Sequence, residues 1–167
     1  RLGIASPQSP EWRFLRQCLL SGDAYLQGRS LRAQAALLSQ QRETPGSAQA
    51  VEELRGLCHD LVAGDRAAVA RRECIRLAQN ISPEGWWQLR YQAFESLRSI
   101  GDRSSVEVLR HTRRSVFSDG SARTRFGVSF NQLSFEIGEE IYWRLTGGLA
   151  GESYRPLNSQ PSGSGTT

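Results

Sequence analysis

The sequence predicts an all-α fold: antiparallel helix pairs stacked as a short array or an irregular bundle, with one small loop or hairpin insertion. Three observations predict it. Gly64-Asp65-Arg66 followed by Val69 is spelled again as Gly101-Asp102-Arg103 followed by Val106, and a third Gly-Asp stands at Gly22-Asp23. Their spacings, 42 and 37 residues, fall near the period of stacked helix-pair repeats. Between these marks, apolar residues recur at i, i+3 and i+4, the helical period. Ser-Pro-Glu also occurs twice, at Ser9-Pro10-Glu11 and Ser82-Pro83-Glu84. It is a helix-start signal: a capping serine, proline at the first helical position and an acid in the first turn.

The first start signal opens a helix with Trp12, Leu15 and Leu19 on one stripe, closed by Gly22. Asp23 caps the next, which runs from Ala24 to Arg42 with Ala24, Gly28, Leu31, Ala35 and Leu38 in period. Thr44-Pro45-Gly46-Ser47 is a break, and Ser47 is placed to cap a helix over Ala48 to Ala63. Val51, Leu54, Leu57, Cys58, Leu61 and Val62 line that helix. Gly64 ends it in the left-handed conformation, and Asp65 caps a helix expected to reach Asn80, with Ala67, Ala70, Cys74, Leu77 and Ala78 inward.

Ser82 starts the strongest helix, with Trp86, Leu89, Ala93, Leu97 and Ile100 on the core stripe and Phe94 beside it. Gly101-Asp102 turns the chain, Gly101 being expected left-handed. Val106, Val108 and Leu109 carry the partner helix to about Arg114. The segment 116–128 breaks the pattern, and Asp119-Gly120 between short apolar runs is a hairpin cue; a hairpin, an ordered loop and a disordered loop all fit it. The last helix runs from about Asn131 to Leu145, with Leu133, Ile137, Ile141 and Leu145 inward and Glu136, Glu139 and Glu140 outward.

Length and composition fit one domain. Residues 9–147 form it, with 116–129 as its irregular loop, 1–8 as an N-terminal extension and 148–167 as a flexible tail rich in Ser, Gly, Pro and Thr. The chain begins with Arg and has no Met, which reads as a piece of a larger protein. No stretch approaches the roughly 20 apolar residues that span a bilayer, and 1–10 has no apolar core of a signal peptide. Cys18, Cys58 and Cys74 are widely spaced, odd in number and set among aliphatic residues, which suits buried thiols in a reducing, cytoplasmic setting. All 21 basic residues are Arg, the net charge is +4 and the pI is about 9.4. Arginine alone fits a GC-rich codon bias or a need for bidentate contacts. The net charge favours an anionic partner but falls short of a nucleic-acid signature.

From Leu89 to Leu109, the residues Arg90, Ala93, Leu97, Ile100, Gly101, Asp102, Val106 and Leu109 follow a pattern of Arg-x-x-Ala-x-x-x-Leu, Ile-Gly-Asp and Val-x-x-Leu. That stretch resembles a HEAT repeat of the short bacterial type, and Leu54 to Leu77 resembles it more loosely. The resemblance implies helix pairs packed side by side, binding on an extended surface, and no shared catalytic residue. Segments of this kind resemble accessory or sensor regions of larger bacterial proteins.

Two constellations are candidates for binding. Arg110, Arg113, Arg114, Arg123 and Arg125 gather around the irregular loop with His111, and could meet an anion or an acidic partner. They equally suit a solvated basic helix end, where positive charge opposes the helix dipole. Trp87 and Tyr91 sit about 100–140° from Trp86 on a helical wheel. They read as inter-helix packing or as an exposed aromatic edge that stacks a base.

No zinc spacing accompanies His59 or His111, and the glutamates 136, 139 and 140 lack a partner histidine at bundle-metal spacing. No phosphate loop is possible without lysine, and no dinucleotide fingerprint occurs. No cofactor is expected. The leading reading is a non-catalytic protein-binding scaffold or regulatory module. The alternative is a nucleic-acid-binding helical domain, including a HEAT-like DNA repair protein.

Overall fold

A computed structural model describes residues 9–41, 46–115 and 129–147. Its regular elements are seven helices: α1 (Pro10–Leu19), α2 (Ala24–Gln40), α3 (Ser47–Ala63), α4 (Arg66–Ala70), α5 (Pro83–Ile100), α6 (Arg103–Ser115) and α7 (Phe130–Thr146). The fold is all-α, with helices packed on helices. The expected hairpin or loop at 116–128, and the extension and tail, lie outside the described residues.

Helix starts follow local chemistry. Ser9, Asp23, Asp65, Ser82 and Ser129 each accept a hydrogen bond from the backbone N–H three residues on, at 2.8–3.2 Å. Each satisfies one of the amides that the first turn leaves free. Ser47 behaves otherwise. It is the first residue of α3 and is buried, while Gly46 takes the cap position at φ +91° with no side-chain bond.

The helices form three antiparallel pairs, α1–α2, α3–α5 and α6–α7. Bonds across each seam fix the direction. In the first pair, Ser30 Oγ donates to Leu15 O and Gln27 Nε2 to Leu19 O. In the second, Arg55 Nε donates to Ile100 O and Arg90 Nε to Leu61 O. In the third, Ile141 near the end of α7 meets Gly101 ahead of α6. The pairs stack so that α2, α5 and α7 run parallel in one layer. Ala24 lies beside Gly85 and Gly28 beside Gln92; Trp87 meets Phe130 and Arg98 pairs with Glu140. In the other layer α3 and α6 run parallel, joined by Arg55–Asp102 and His59–Ser105. Most of the expected stripes fill the seams: Leu31, Leu38, Leu57, Leu61, Leu89, Phe94, Leu97, Leu109, Ile137 and Ile141 are fully buried, but Ala67 and Ala70, expected inward, are exposed and Val69 is buried in their place.

Four expectations are corrected. The helix after Gly64-Asp65 stops at Ala70 instead of reaching Asn80. Beyond it, the Arg76 N–H donates to Leu19 O, the Arg76 carbonyl accepts from Gln27 Nε2, and Arg72 Nε pairs with Asp60 Oδ2 at 2.6 Å. These long-range bonds replace the ones a continuing helix would make.

Gly101 is not left-handed, with φ −64° and ψ 147°. A Cβ there would lie 2.5 Å from Leu97 O and 2.5 Å from Ile141 Cδ1, so glycine is required by close approach. Gly64 does have φ +76° as expected. Leu145 is 51 % exposed, not inward, because the last turn of α7 extends past the contact of Ile141 with Gly101.

Finally, the repeated Gly-Asp marks are not equivalent. Gly22-Asp23 joins the two members of a pair. Gly101-Asp102 joins one pair to the next, so α6 packs on α7 and α3 rather than along α5.

Candidate functional site

At one end of the stack the C-termini of α2, α5 and α7 meet the N-termini of α3 and α6 around a cleft of about 370 Å³. Leu38, Ala48, Val51, Ile100 and Leu145 give it apolar walls, and Arg55, Glu52, Asp102 and Arg144 give it charge. The last carbonyls of a helix have no partner within the helix. Here two arginines supply one. Arg55 Nε donates to Ile100 O at 2.9 Å, and Arg144 donates to the carbonyls of Arg98 and Gly101, the latter at 2.6 Å. The Arg55 guanidinium also pairs with Glu52 and, at 3.1 Å, with Asp102 Oδ2.

Asp102 is the N-cap of the following helix. Its Oδ1 accepts from Ser104 Oγ at 2.6 Å and from Ser105 N at 3.1 Å. Burial works to raise its pKa, but these hydrogen bonds and Arg55 outweigh burial and hold the carboxyl below its ordinary range. His59 Nε2 lies 2.8 Å from Ser105 Oγ, which lies 3.3 Å from Asp102 Oδ1. Burial lowers the imidazole pKa below 6.5, with Arg55 and Arg72 in support and Asp102 and Asp60 opposed.

Serine, histidine and aspartate thus meet, although nothing in their sequence spacing announced it. They do not form a hydrolytic relay. That chemistry needs an accessible hydroxyl and a carboxylate on the far ring nitrogen; here Ser105 is fully buried and the carboxylate sits on the hydroxyl. The cluster latches α3 to α6.

The sequence candidates fall elsewhere. Arg110 is half-buried and pairs with Glu107 Oε1 at 2.7 Å. Arg113 and Arg114 lie in the last turns of α6, with side chains outside the description, and Arg123 and Arg125 lie outside the described residues. Trp87 and Tyr91 are half-buried and stacked on each other at 5.5 Å; Trp87 also stacks on Phe130 at 5.7 Å, and Phe130 on Phe94 at 5.1 Å. Trp87 is thus stacked with two protein rings and Tyr91 with one. Glu140 pairs with Arg98, and Glu136 accepts from Gln132. Among the described residues no three His, Cys, Asp or Glu side chains gather as a metal site requires. Nor is any helix there long and apolar enough to cross a membrane.

The exposed apolar surface lies at an end of the stack that sequence reading did not single out. Phe14 and Tyr25 are each 61 % exposed, with Leu20 at 44 % and Leu26 at 42 %. All four belong to the α1–α2 pair or the turn that joins it, whose outer side meets no other helix among the described residues. A signal was available in the sequence. Besides its core stripe, α2 carries Leu26, Ala33 and Leu37 at i, i+7 and i+11, a second apolar line on another flank. Compared with known protein families, curated proteins and solved structures, the chain matches none.

Proposed function

We propose that the chain is a non-catalytic protein-interaction module, a HEAT-like stack that presents its α1–α2 end to a protein partner in a reducing, cytoplasmic setting. The observation that carries this reading is the distribution of exposed apolar bulk. Four of the six large exposed hydrophobics among the described residues are Phe14, Leu20, Tyr25 and Leu26. Grouped exposed apolar side chains on a soluble scaffold mark interaction sites, and an open end of a helix-pair stack offers such a surface.

Three further features support it. In the cleft, Arg55 and Arg144 are engaged in capping helix ends, and Glu52 and Asp102 in pairing with Arg55. The aromatic residues that could stack a base are stacked on one another. Cys18, Cys58 and Cys74 are free thiols, and burial pushes the Cys58 thiol far up, which suits structural rather than reactive roles.

The test is capture of partners from nuclease-treated extract of the source organism, with the chain and its Phe14→Asp/Tyr25→Asp variant as baits. A protein retained by the first and lost with the second is expected. Oligonucleotide binding that falls steeply with salt, and is lost on Arg123→Ala with Arg125→Ala, would overturn the reading in favour of nucleic acid.

A further inference from the structure

We infer that the outer side of the α1–α2 pair is a docking groove for an acidic amphipathic helix, which names the partner class for the surface proposed above and rests on that reading. At 100° per residue, Leu26, Ala33 and Leu37 fall within about 40° of one another. They lie on the flank of α2 turned away from α5, which meets Gly28 on the other side; Leu26 is exposed, and Ala33 and Leu37 are half-buried, Leu37 against the core. The register of the pair, Leu15 against Ser30 and Leu19 against Gln27, sets Phe14 of α1 level with Leu31 and Arg32, midway along this line. From Leu26 to Leu37 the line is about 16 Å long, three turns of a bound helix.

Charge selects the occupant. Arg29 falls about 40–80° and Arg32 about 100–140° round the helix from this line; both are exposed and form no ion pair with any described residue. The sequence of α2 contains no acid. The acids of the pair stand at its ends, Glu11 in the first turn of α1 and Asp23 as the N-cap bonded to Leu26 N at 2.9 Å. Arg16 of α1, by contrast, faces Glu53 of α3, and Arg55, Arg72, Arg98 and Arg110 each face a carboxylate of the chain, while Arg71, Arg76 and Arg103 are exposed as Arg29 and Arg32 are. An apolar groove with an uncompensated cationic rim complements a helix that carries leucines on one face and glutamates beside them. A second copy docked by two-fold symmetry would set Arg29 and Arg32 against their own kind.

The experiment uses the whole chain and two fluorescent peptides, read by anisotropy. Both place leucine at i, i+4, i+7 and i+11; one carries glutamate at the flanking positions, the other lysine. The glutamate peptide is expected to bind and the lysine peptide to fail. Arg29→Glu with Arg32→Glu should weaken the glutamate peptide about ten-fold or more and admit the lysine peptide, since like charges then become opposite. Phe14→Asp with Leu26→Asp should abolish binding of both. All these positions are exposed, and an unchanged helical circular dichroism spectrum checks each variant.

Equal binding of the two peptides, binding of neither, or indifference to the variants would overturn the inference. So would anionic vesicles or oligo-dT taking the place of the glutamate peptide on the same residues. If the peptides fail while Phe14→Asp/Tyr25→Asp still releases a captured protein, the acidic-helix inference falls and the interaction-module reading stands.

Discussion

Arg90 reaches from α5 to the carbonyls of Leu61 and Val62 at 2.9 and 2.8 Å, while its guanidinium lies 4.4 Å from the centre of the Phe130 ring. It caps the end of α3 as Arg55 and Arg144 cap the end of α5. A lysine ammonium lacks the planar fork needed for two carbonyls and a ring at once. Arg90→Lys should therefore lower stability by about 1–3 kcal/mol, read as an earlier thermal midpoint.

Gly101 is held by proximity rather than by backbone angle, so Gly101→Ala should also destabilise, by about 1–3 kcal/mol from overpacking against Ile141 and Leu97. A melt equal to that of the parent would show that Ile141 yields freely. For His59, the depressed pKa makes the unfolded chain bind the proton more readily than the folded one. Its contribution is thus complete above 6.5 and is lost as pH falls through the lowered folded value, whereas that of Asp102 is lost only below the ordinary carboxylate range. The midpoint should drop as pH falls below about 6.5, and His59→Gln should flatten that drop.

At the scale of elements, the segment 71–82 is non-helical, and the backbone of Arg76 within it is bonded to the first pair instead of within a helix. Gln27, fully buried, donates from Nε2 to Leu19 O at 2.8 Å and to Arg76 O, pinning this segment to the first pair. Gln27→Leu leaves both carbonyls without that donor. The expected cost is about 1–3 kcal/mol, and hydrogen exchange should rise first in 71–82. Unchanged protection there would contradict the pinning.

The same contrast explains what the sequence could convey. Starts at Ser9, Asp23, Asp65, Ser82 and Ser129 are local events, decided by a side chain and an amide three residues on. The buried stripes are equally local. The stop at Ala70 depends on Leu19 and Gln27, roughly 50 residues away in the chain, and no window of sequence contains it. The cluster of His59, Ser105 and Asp102 was hidden for the same reason. The α2 flank at Leu26, Ala33 and Leu37 was present in the sequence, but a single inward stripe per helix accounts for only one of its two apolar lines.

For the whole molecule, the stack of three pairs turns a short chain into a two-layered body with distinct ends. One end gathers helix termini around the cleft, where Arg55 and Arg144 join α3, α5 and α7. The side of α1–α2 facing away from the stack exposes Phe14 and Leu26, and Arg29 and Arg32 of α2 are exposed with no ion pair among the described residues. The spelling Gly-Asp-Arg, which suggested the array, marks a within-pair turn at none of its occurrences. The parallel run of α2, α5 and α7 carries the array instead.

The most direct test of the interaction reading places a photo-crosslinking residue at Phe14 in the full chain, within living cells of the source organism. The account predicts one discrete protein adduct, lost when Arg29 and Arg32 are both changed to Glu. An adduct to nucleic acid, or no adduct beyond the background seen from an exposed position on α7, would contradict it.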